Sequence, residues 1–393
     1  MVQADTFDAV TIEALRRVGG VKWSLFPDKI GAFVAEMDFG TAPAVAQALH
    51  SAVDVGMVGY LPSAWSDQMA QAYVTWAHAQ YDWDVRPEHV RPLADVLAGL
   101  QMTLTHFCEP GAPVILPTPA YMPFVTLPVA LGHPVIEVPL VVEGGRYVYD
   151  VDVLDGAFRS GGRLLILCNP HNPAGRVLDR GEMAAIAEVV DRYDGRVFAD
   201  EIHAPLVYPG HQHVPYASIS EVTAGHTITA ASASKAWNLP GLKCAQAILS
   251  NDLDAKRWAD VGMMAEHGAS TLGVIANTAA YTAGGQWLAE VVAYLDTNRQ
   301  HLGTLLAEKI PQIGYSTPEG TYLAWLDCRS LGLGDHPSEY FLEHGGTAMT
   351  DGALCGDAGK GFARFNFALP RPILEQAVDQ MADAVARLGA GRR

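Results

Sequence analysis

Short apolar runs that end in turn-forming residues recur through the middle of the chain. They lie at Pro113–Pro117, Leu164–Cys168, Arg196–Ala199, Thr227–Ala230 and Cys244–Leu249. Longer segments with apolar residues every three or four positions, among them Ala44–Val55 and Arg180–Tyr193, lie before and between these runs. Alternation of buried strands with amphipathic helices is typical of an α/β fold. The pattern therefore predicts a large, mainly parallel sheet flanked by helices.

The pattern changes after about residue 286. A long helix is predicted over Trp287–Lys309, then strand-like segments at Thr321–Asp327 and Phe362–Leu369 on either side of a Gly-rich stretch, and a last helix over Pro372–Leu388. We expect a large domain over residues 45–285 and a smaller α+β domain made from residues 1–44 and 286–393. The segment before about Gly40 has little periodicity, and two places are open to it: the smaller domain or a subunit boundary.

Length and charge limit the class of protein. A chain of 393 residues with 49% hydrophobic and 18% charged residues is expected to fold into two or three domains. Acidic residues outnumber basic ones by 43 to 26, which gives a net charge of −17, and no cluster of Lys or Arg offers a track for a phosphate backbone. Nucleic acid is therefore not expected as a partner.

The cysteines and the N-terminal sequence indicate where in the cell the protein is expected. The five cysteines are odd in number, widely spaced and without a C-x-x-C pair, which argues against a disulfide framework or a zinc knuckle. The N-terminal sequence lacks the order of a signal peptide, and no apolar run approaches the roughly 20 residues of a membrane helix. We expect a cytoplasmic protein that neither enters nor binds a membrane.

Polar and aromatic side chains follow four of the predicted strands. Tyr121 comes after the first run, Asn172 after the second, Asp200 after the third and Lys235 after the fourth. Because ligands of open α/β sheets bind at the carboxyl ends of the strands, these groups are expected to face one crevice. The set suits pyridoxal phosphate (PLP), for which a lysine forms a Schiff base and a carboxylate pairs with the pyridinium nitrogen.

Nine pieces of sequence, in this order and spread over nearly the whole chain, carry a resemblance to one family. They are VKW at 21–23, AEMDFGTAPAV at 35–45, GMVGY at 56–60, PTPAY at 117–121, CNPHNPAGRV at 168–177, DEIH at 200–203, SASKAWNLPGLK at 232–243, TYLAWLD at 321–327 and GFARFNFALPR at 361–371. Together they resemble the fold-type I PLP enzymes of the class I/II aminotransferase superfamily. Within that superfamily they are similar to the cystathionine β-lyase or cysteine-S-conjugate β-lyase branch of MalY/PatB type.

The resemblance implies roles around the cofactor ring. Lys235 would form the Schiff base and Asp200 would pair with the pyridinium nitrogen. Tyr121 would stack on the ring, and Asn172 would donate a hydrogen bond to its phenolic oxygen. His203 is expected beside the cofactor, more as a hydrogen-bonded support than as a catalyst.

The resemblance also implies contacts to the phosphate and the substrate. Ser232, Ser234 and Lys243 would lie near the phosphate, and Tyr60 would reach it from the neighbouring subunit of a homodimer. The substrate carboxylate would bind Arg364 through two parallel hydrogen bonds, helped by the backbone at Gly40.

Two positions depart from the pattern of the related enzymes, and a third feature could be interpreted as a metal site. Asp95, in PLADVLAGL at 92–100, brings a carboxylate near the expected phosphate, and Lys243 stands where many aminotransferases have arginine. His211 and His213 form an HQH motif that suggests a metal. Because no third ligand is near in sequence, we interpret it as a solvated loop and expect no metal site.

Three functions fit this sequence. The first is a carbon–sulfur β-lyase that cleaves L-cystathionine or related cysteine S-conjugates to a thiol, pyruvate and ammonia. The second is an aminotransferase on another amino acid, which would share nearly every site residue. The third is a regulatory or interaction protein that keeps the PLP fold. The pieces VKW, AEMDF, GMVGY and FNFALPR favour the lyase.

Overall fold

The fold was analysed in a computed structural model, which describes residues 6–391. Its helices, α1 to α15 in chain order, are Ile12–Val18, Val21–Ser24, Pro43–Asp54, Ser63–Tyr81, Val96–His106, Met122–Ala130, Val151–Arg159, Arg180–Arg192, Glu221–His226, Asp252–Val261, Met263–Glu266, Thr271–Ala283, Gly285–Lys309, Pro337–His344 and Arg371–Gly391. The long helix α13 and the last helix α15 lie where the apolar periodicity predicts them. No helix of the described chain is long and apolar enough to cross a membrane.

The strands lie in two main sheets and one hairpin. In chain order, β1 to β14 are Ile30–Ala32, Val90–Leu93, Val114–Thr118, Val135–Pro139, Val141–Glu143, Arg146–Val148, Leu164–Cys168, Arg196–Asp200, Thr227–Ala231, Ala245–Leu249, Gly314–Tyr315, Leu323–Asp327, Thr347–Asp351 and Phe362–Asn366.

The larger sheet has seven strands in the order β2-β10-β9-β8-β7-β3-β4. Its strands are parallel except for β10, which runs antiparallel to both of its neighbours. Every residue of β3, β7, β9 and β10 is buried, because helices cover both faces. This is the mainly parallel α/β sheet that the apolar runs predict.

The smaller sheet has five strands in the order β1-β13-β14-β12-β11. Strand β1 pairs in parallel with β13, so the N-terminal segment packs on this sheet within its own chain. The Gly-rich stretch gives no strand signal in the sequence, and yet it contains β13, a short strand with glycines on both sides. Its strand conformation comes from pairing with β1 and β14. The domain boundaries at residues 45 and 285 stay predictions.

Candidate active site

The predicted chemical groups lie along the carboxyl edge of the larger sheet. Strand β8 ends at Asp200, which lies opposite Cys168 of β7 and Ala230 of β9. The turn after β9 carries Lys235, and Tyr121 directly precedes helix α6 after β3. Parallel strands bring their carboxyl ends to the same edge, so residues far apart in sequence meet there.

Lys235 points toward the N-terminal segment. Its ammonium group donates a hydrogen bond to the carbonyl oxygen of Ala35 at 3.0 Å. Burial, and after it the positive charge of Arg364, lowers the pKa of Lys235 to about 8. About a tenth of this amine is therefore uncharged at pH 7, and the uncharged form is the one that acts as a nucleophile or base.

Asp200 is a buried carboxylate whose nearest partners are neutral. One oxygen accepts from the backbone N–H of Ile202 at 3.1 Å, and the other lies 3.5 Å from the thiol of Cys168. Burial raises the pKa of Asp200 to about 6, against the lowering effect of these hydrogen bonds. A cationic group placed beside this carboxylate would stabilise its ionised form.

Arg364 lies in the middle of β14 and is buried among neutral acceptors. Its guanidinium donates to Asn172 Oδ1, to Thr350 Oγ1 and to the carbonyl oxygen of Phe33, each at 3.0 Å. Its Nε has no hydrogen-bond partner within residues 6–391, and burial lowers its pKa. A buried cation without a carboxylate partner favours binding of an anion.

Tyr121 and His203 lie within the electrostatic reach of these charges. Burial raises the pKa of Tyr121, and the charges of Arg364 and Asp200 modify that shift in opposite directions. His203 is buried, and its Nδ1 lacks a partner in the described chain. Burial lowers the pKa of His203 well below its usual value, and the positive charges of Lys235 and Arg364 lower it further. The imidazole is therefore neutral. Its free ring nitrogen can bond to a further polar group.

The residues expected near the phosphate form a tight turn and an ion pair. Ser232 Oγ donates to the carbonyl oxygen of Cys244 at 2.7 Å and accepts from the backbone N–H of Ser234 at 3.0 Å. Lys243 pairs with Asp95 at 3.0 Å. The other carboxylate oxygen of Asp95 accepts from the N–H of Ala98, capping helix α5. The carboxylate is thus neutralised by a cation and a helix N-terminus, which explains how it is tolerated here.

Two predicted residues stand apart from this cluster. Tyr60 is 94% exposed and makes no contact with Lys235 or Asp200 in its own chain. Gly40 has a φ of +74° and lies in open space, with its carbonyl oxygen accepting from Asn238 Nδ2 at 3.0 Å. Gly40 is therefore tied to the segment that carries Lys235, whereas Tyr60 lies in an open cleft with Val58 and Met263.

The structure adds polar partners that the sequence does not reveal. Thr350, which contacts Arg364, lies on the unpredicted strand β13. Tyr322 donates to the carbonyl oxygen of Ala35 at 2.8 Å, beside the hydrogen bond from Lys235. The only available signal was the position of Tyr322 in the TYLAWLD piece; nothing in the sequence marks Thr350.

The HQH motif is only in part the solvated loop that the sequence predicts, since His211 and Gln212 are exposed and His213 is not. His213 is buried and lies 3.2 Å from Glu201, also buried, so that interpretation is wrong for His213. Packing of its ring against Tyr81 at 5.1 Å explains the burial. Within residues 6–391, no group of three or more His, Cys, Asp or Glu side chains is arranged to hold a metal ion.

The unpaired buried groups fit a molecule with the charges of PLP and an amino acid. Asp200 needs a cation, Arg364 needs an anion, and His203 Nδ1 needs a hydrogen-bonding group. Lys235 supplies a partly uncharged amine among them. Each of these requirements matches one group of the cofactor or of its substrate.

Comparison with known proteins gives consistent matches over nearly the full length. The sequence profile of the aminotransferase class I and II family matches residues 27–381. A cystathionine β-lyase from Corynebacterium glutamicum is 37% identical, with 95% of this chain and 99% of the relative covered. The cystathionine β-lyase PatB of Bacillus subtilis is 31% identical, with 93% and 96% covered. A crystal structure from Corynebacterium diphtheriae, assigned as a PLP-dependent β-cystathionase, superposes with a TM-score of 0.91 at 39% identity, covering 96% and 98%.

Proposed function

Since the chain belongs to the aminotransferase class I and II family, we propose that it is a PLP-dependent carbon–sulfur β-lyase. Its substrate is L-cystathionine or a related cysteine S-conjugate, and its products are a thiol, pyruvate and ammonia. The observation that carries this proposal is the match to cystathionine β-lyases over 95% of the chain. The buried charges of Asp200 and Arg364, neither of which has a counter-charge among its hydrogen-bond partners in residues 6–391, support the same conclusion.

The residues at the sheet edge would hold the cofactor as the sequence predicts. Asp200 would keep a proton on the ring nitrogen, Tyr121 would cover one face, and Asn172 would donate to the phenolic oxygen. Ser234 and Lys243 would lie at the phosphate, whereas the Ser232 hydroxyl already shapes the turn. When bound, PLP withdraws electrons from the substrate and so weakens the bond between Cα and its hydrogen.

Lys235 would move the proton that leaves Cα. With a pKa of about 8, its amine is in part uncharged at neutral pH and can accept that proton. The nearby positive charge of Arg364 helps to keep it uncharged. Loss of the sulfur substituent from Cβ then leaves a product that water converts to pyruvate and ammonia.

Arg364 would bind the carboxylate of the substrate. The planar guanidinium can donate two parallel hydrogen bonds, and Asn172 and Thr350 fix its plane from one side. Its unpaired Nε supplies one donor, and the second becomes available when the carboxylate replaces one of the present neutral acceptors. Holding the carboxylate would orient the Cα–H bond toward Lys235.

We place the enzyme in the cytoplasm as a homodimer with shared active sites. An exposed patch beside Tyr60 supports the dimer: Val58, Met263 and Met264 are each more than 60% exposed. Val58, Tyr60 and Met263 line one cleft of about 900 Å³. Contiguous exposed apolar side chains of this kind mark interaction surfaces, and a second copy would bring Tyr60 toward the partner's phosphate site.

The test is release of pyruvate from L-cystathionine by the purified holoenzyme, with no oxo acid present. A lyase gives many turnovers under these conditions. An aminotransferase stops after one half-reaction and recovers when an oxo acid is added. No sustained release of pyruvate, together with a single loss of the visible absorbance of the cofactor that an added oxo acid restores, would replace the lyase by the aminotransferase.

A further inference from the structure

Two functional cations share one irregular segment as their backbone partner. The segment Phe33–Thr41, here called the active-site strip, follows β1 and precedes α3 without forming a helix or a strand. The carbonyl oxygen of Phe33 accepts from Arg364, and that of Ala35 accepts from Lys235. The position of the strip therefore affects the carboxylate-binding group and the reactive amine together.

Side chains rather than a backbone ladder hold the strip. Asn366 donates to the carbonyl oxygens of Val34 and Glu36 at 2.6 and 2.7 Å. Asn238, three residues after Lys235, contacts the backbone N–H and carbonyl of Met37, both at 2.9 Å. Asn366 follows Arg364 by two residues and Asn238 follows Lys235 by three, so each amide lies on the same short segment as a functional residue.

The centre of this anchoring is a buried ion pair. Lys22 lies 3.0 Å from Asp38, and their side chains are 1% and 3% exposed. Lys22 also donates to the carbonyl oxygen of Glu36 at 3.1 Å, and the indole N–H of Trp23 donates to Asp38 at 2.9 Å. The ammonium group of Lys22, on helix α2, thus binds both the Asp38 side chain and the Glu36 backbone of the strip.

Burying such a pair gives little net stability, since desolvation offsets most of the attraction. Stability therefore does not explain why Lys22 and Asp38 are buried as an ion pair. Their contacts to the strip suggest a positioning role instead. Resting on the proposed function, we propose that Lys22 and Asp38, with Trp23, are positioning residues that hold the strip so that Arg364 can bind the amino-acid carboxylate beside Lys235.

The test uses the holoenzyme of the double variant Lys22→Met/Asp38→Asn. Both charges are removed, so no unpaired charge stays buried, and the amide can still accept from Trp23. We measure binding of glycine by its change of the visible absorbance, because glycine has no Cβ and cannot undergo β-elimination. We expect the dissociation constant for glycine to rise about tenfold. With L-cystathionine, KM should rise about tenfold while kcat changes less than about threefold.

The matched control is the double variant Arg196→Met/Asp254→Asn, which likewise removes both charges of an ion pair. Asp254 is also buried and pairs with Arg196 at 2.6 Å, but this pair lies at the opposite end of β8 from Asp200. The control should lower the melting temperature and leave glycine binding and KM unchanged. Hydrogen exchange of the holoenzyme should become faster at residues 33–41 in the double variant and stay unchanged there in the control.

A folded double variant that binds glycine as tightly as the wild type would overturn the proposal, whatever its melting temperature. An equal loss of binding in the control would do the same, because a general loss of stability would then explain both. If the wild type binds glycine but releases no pyruvate from L-cystathionine, the proposed lyase activity fails, and the glycine titration still decides the role of the pair.

Discussion

Within residues 6–391, the buried charges of Asp200 and Arg364 make no hydrogen bond to a group of opposite charge. Asp200 contacts a backbone N–H and a thiol, and Arg364 contacts an amide, a hydroxyl and a carbonyl oxygen. Burial without a counter-charge costs free energy, and a ligand that supplies the missing charge recovers it. At this scale the residues define what must bind: a cation at one point and an anion at the other.

Arg364→Lys should keep the positive charge and lose the planar fork. Because lysine cannot maintain the contacts to both Asn172 and Thr350 while donating in parallel to a carboxylate, we expect KM for the amino acid to rise about 10- to 100-fold. Steady-state kinetics measures this. Arg329→Lys, at an exposed pair with Asp327, is the control and should leave KM unchanged. A normal KM in Arg364→Lys would remove the arginine from carboxylate binding.

Asp200 predicts a pH dependence of stability in the cofactor-free protein. The pKa of Asp200 in the folded protein is about 6, above the usual aspartate value of 3.8, so ionisation of its carboxyl destabilises the fold. This loss of unfolding free energy is fully present above pH 6 and disappears as the pH falls toward 4. Between pH 7.5 and pH 5, the wild type should gain about 1–2 kcal/mol of unfolding free energy relative to Asp200→Asn. Urea unfolding at both pH values measures the difference.

Adding PLP provides the control for this prediction. A protonated ring nitrogen beside the carboxylate stabilises its ionised form, so the relative gain at low pH should disappear in the holoenzyme. An equal gain with and without PLP would show that Asp200 does not face the ring nitrogen.

At the scale of elements, the site depends on loops that two sheets hold in place. The loop after β7 carries Asn172 and turns at Gly175, whose carbonyl oxygen accepts from the N–H groups of Glu319 and Gly320 at 2.7 and 3.0 Å. Arg176 adds a buried ion pair to Glu319. The loop is thus fixed to the segment before β12, and Asn172 is held against Arg364 of β14.

Gly175→Ala should disturb this loop strongly. The glycine has a φ of +70°, and a Cβ there would lie 2.5 Å from Cβ of Pro318. We expect a loss of about 2–4 kcal/mol of unfolding free energy and a raised KM, since Asn172 moves with the loop. Gly210→Ala is the matched control: its φ is +91°, but nothing lies within 4 Å of the added carbon, so it should cost about 1 kcal/mol. Equal losses in urea unfolding would contradict the steric explanation.

Strands could be predicted from the sequence where a continuous apolar run marks a buried strand. Buried strands such as β7 have continuous apolar runs, and the pattern places Leu164–Cys168 with the bounds observed. Strand β13 has no such apolar run, because Thr347–Asp351 is short, contains three polar residues and has glycines on both sides. Its strand conformation comes from pairing with β1 and β14. Thr350 was missed for the same reason.

At the scale of the whole molecule, the proposed dimer makes a quantitative prediction. Lys235→Ala and Tyr60→Ala should each be nearly inactive alone. In a hybrid dimer, one site would combine an intact Lys235 with an intact Tyr60 from the partner. If Tyr60 acts across the interface, subunits exchanged at equal concentration should recover about a quarter of the wild-type activity, because half of the dimers are hybrids with one native site.

Pyruvate release before and after subunit exchange measures this recovery. Mixing each variant with itself is the control and should recover nothing. Failure of the hybrid to recover activity, with exchange verified by mass spectrometry, would place Tyr60 in the site of its own chain or outside any site.

The sequence by itself determined the chemical groups and the order in which they follow the strands. Tyr121, Asn172, Asp200 and Lys235 each follow an apolar run, and parallel strands necessarily bring such ends together. The pattern of buried runs is a local property, so the fold class and the bounds of β7 could be predicted from it, together with the bounds of β3, β8, β9 and β10 to within one residue.

Only the tertiary structure decided which partners each group has. The pairing of β1 with β13 brings the strip carrying Ala35 to Lys235, about 200 residues later in the chain, and β13 brings Thr350 to Arg364. The burial that lowers the pKa of Lys235 and the pairing of Lys243 with Asp95 arise from the same packing. Electric fields and hydrogen bonds depend on distances in space, which packing of the whole chain sets and local sequence does not.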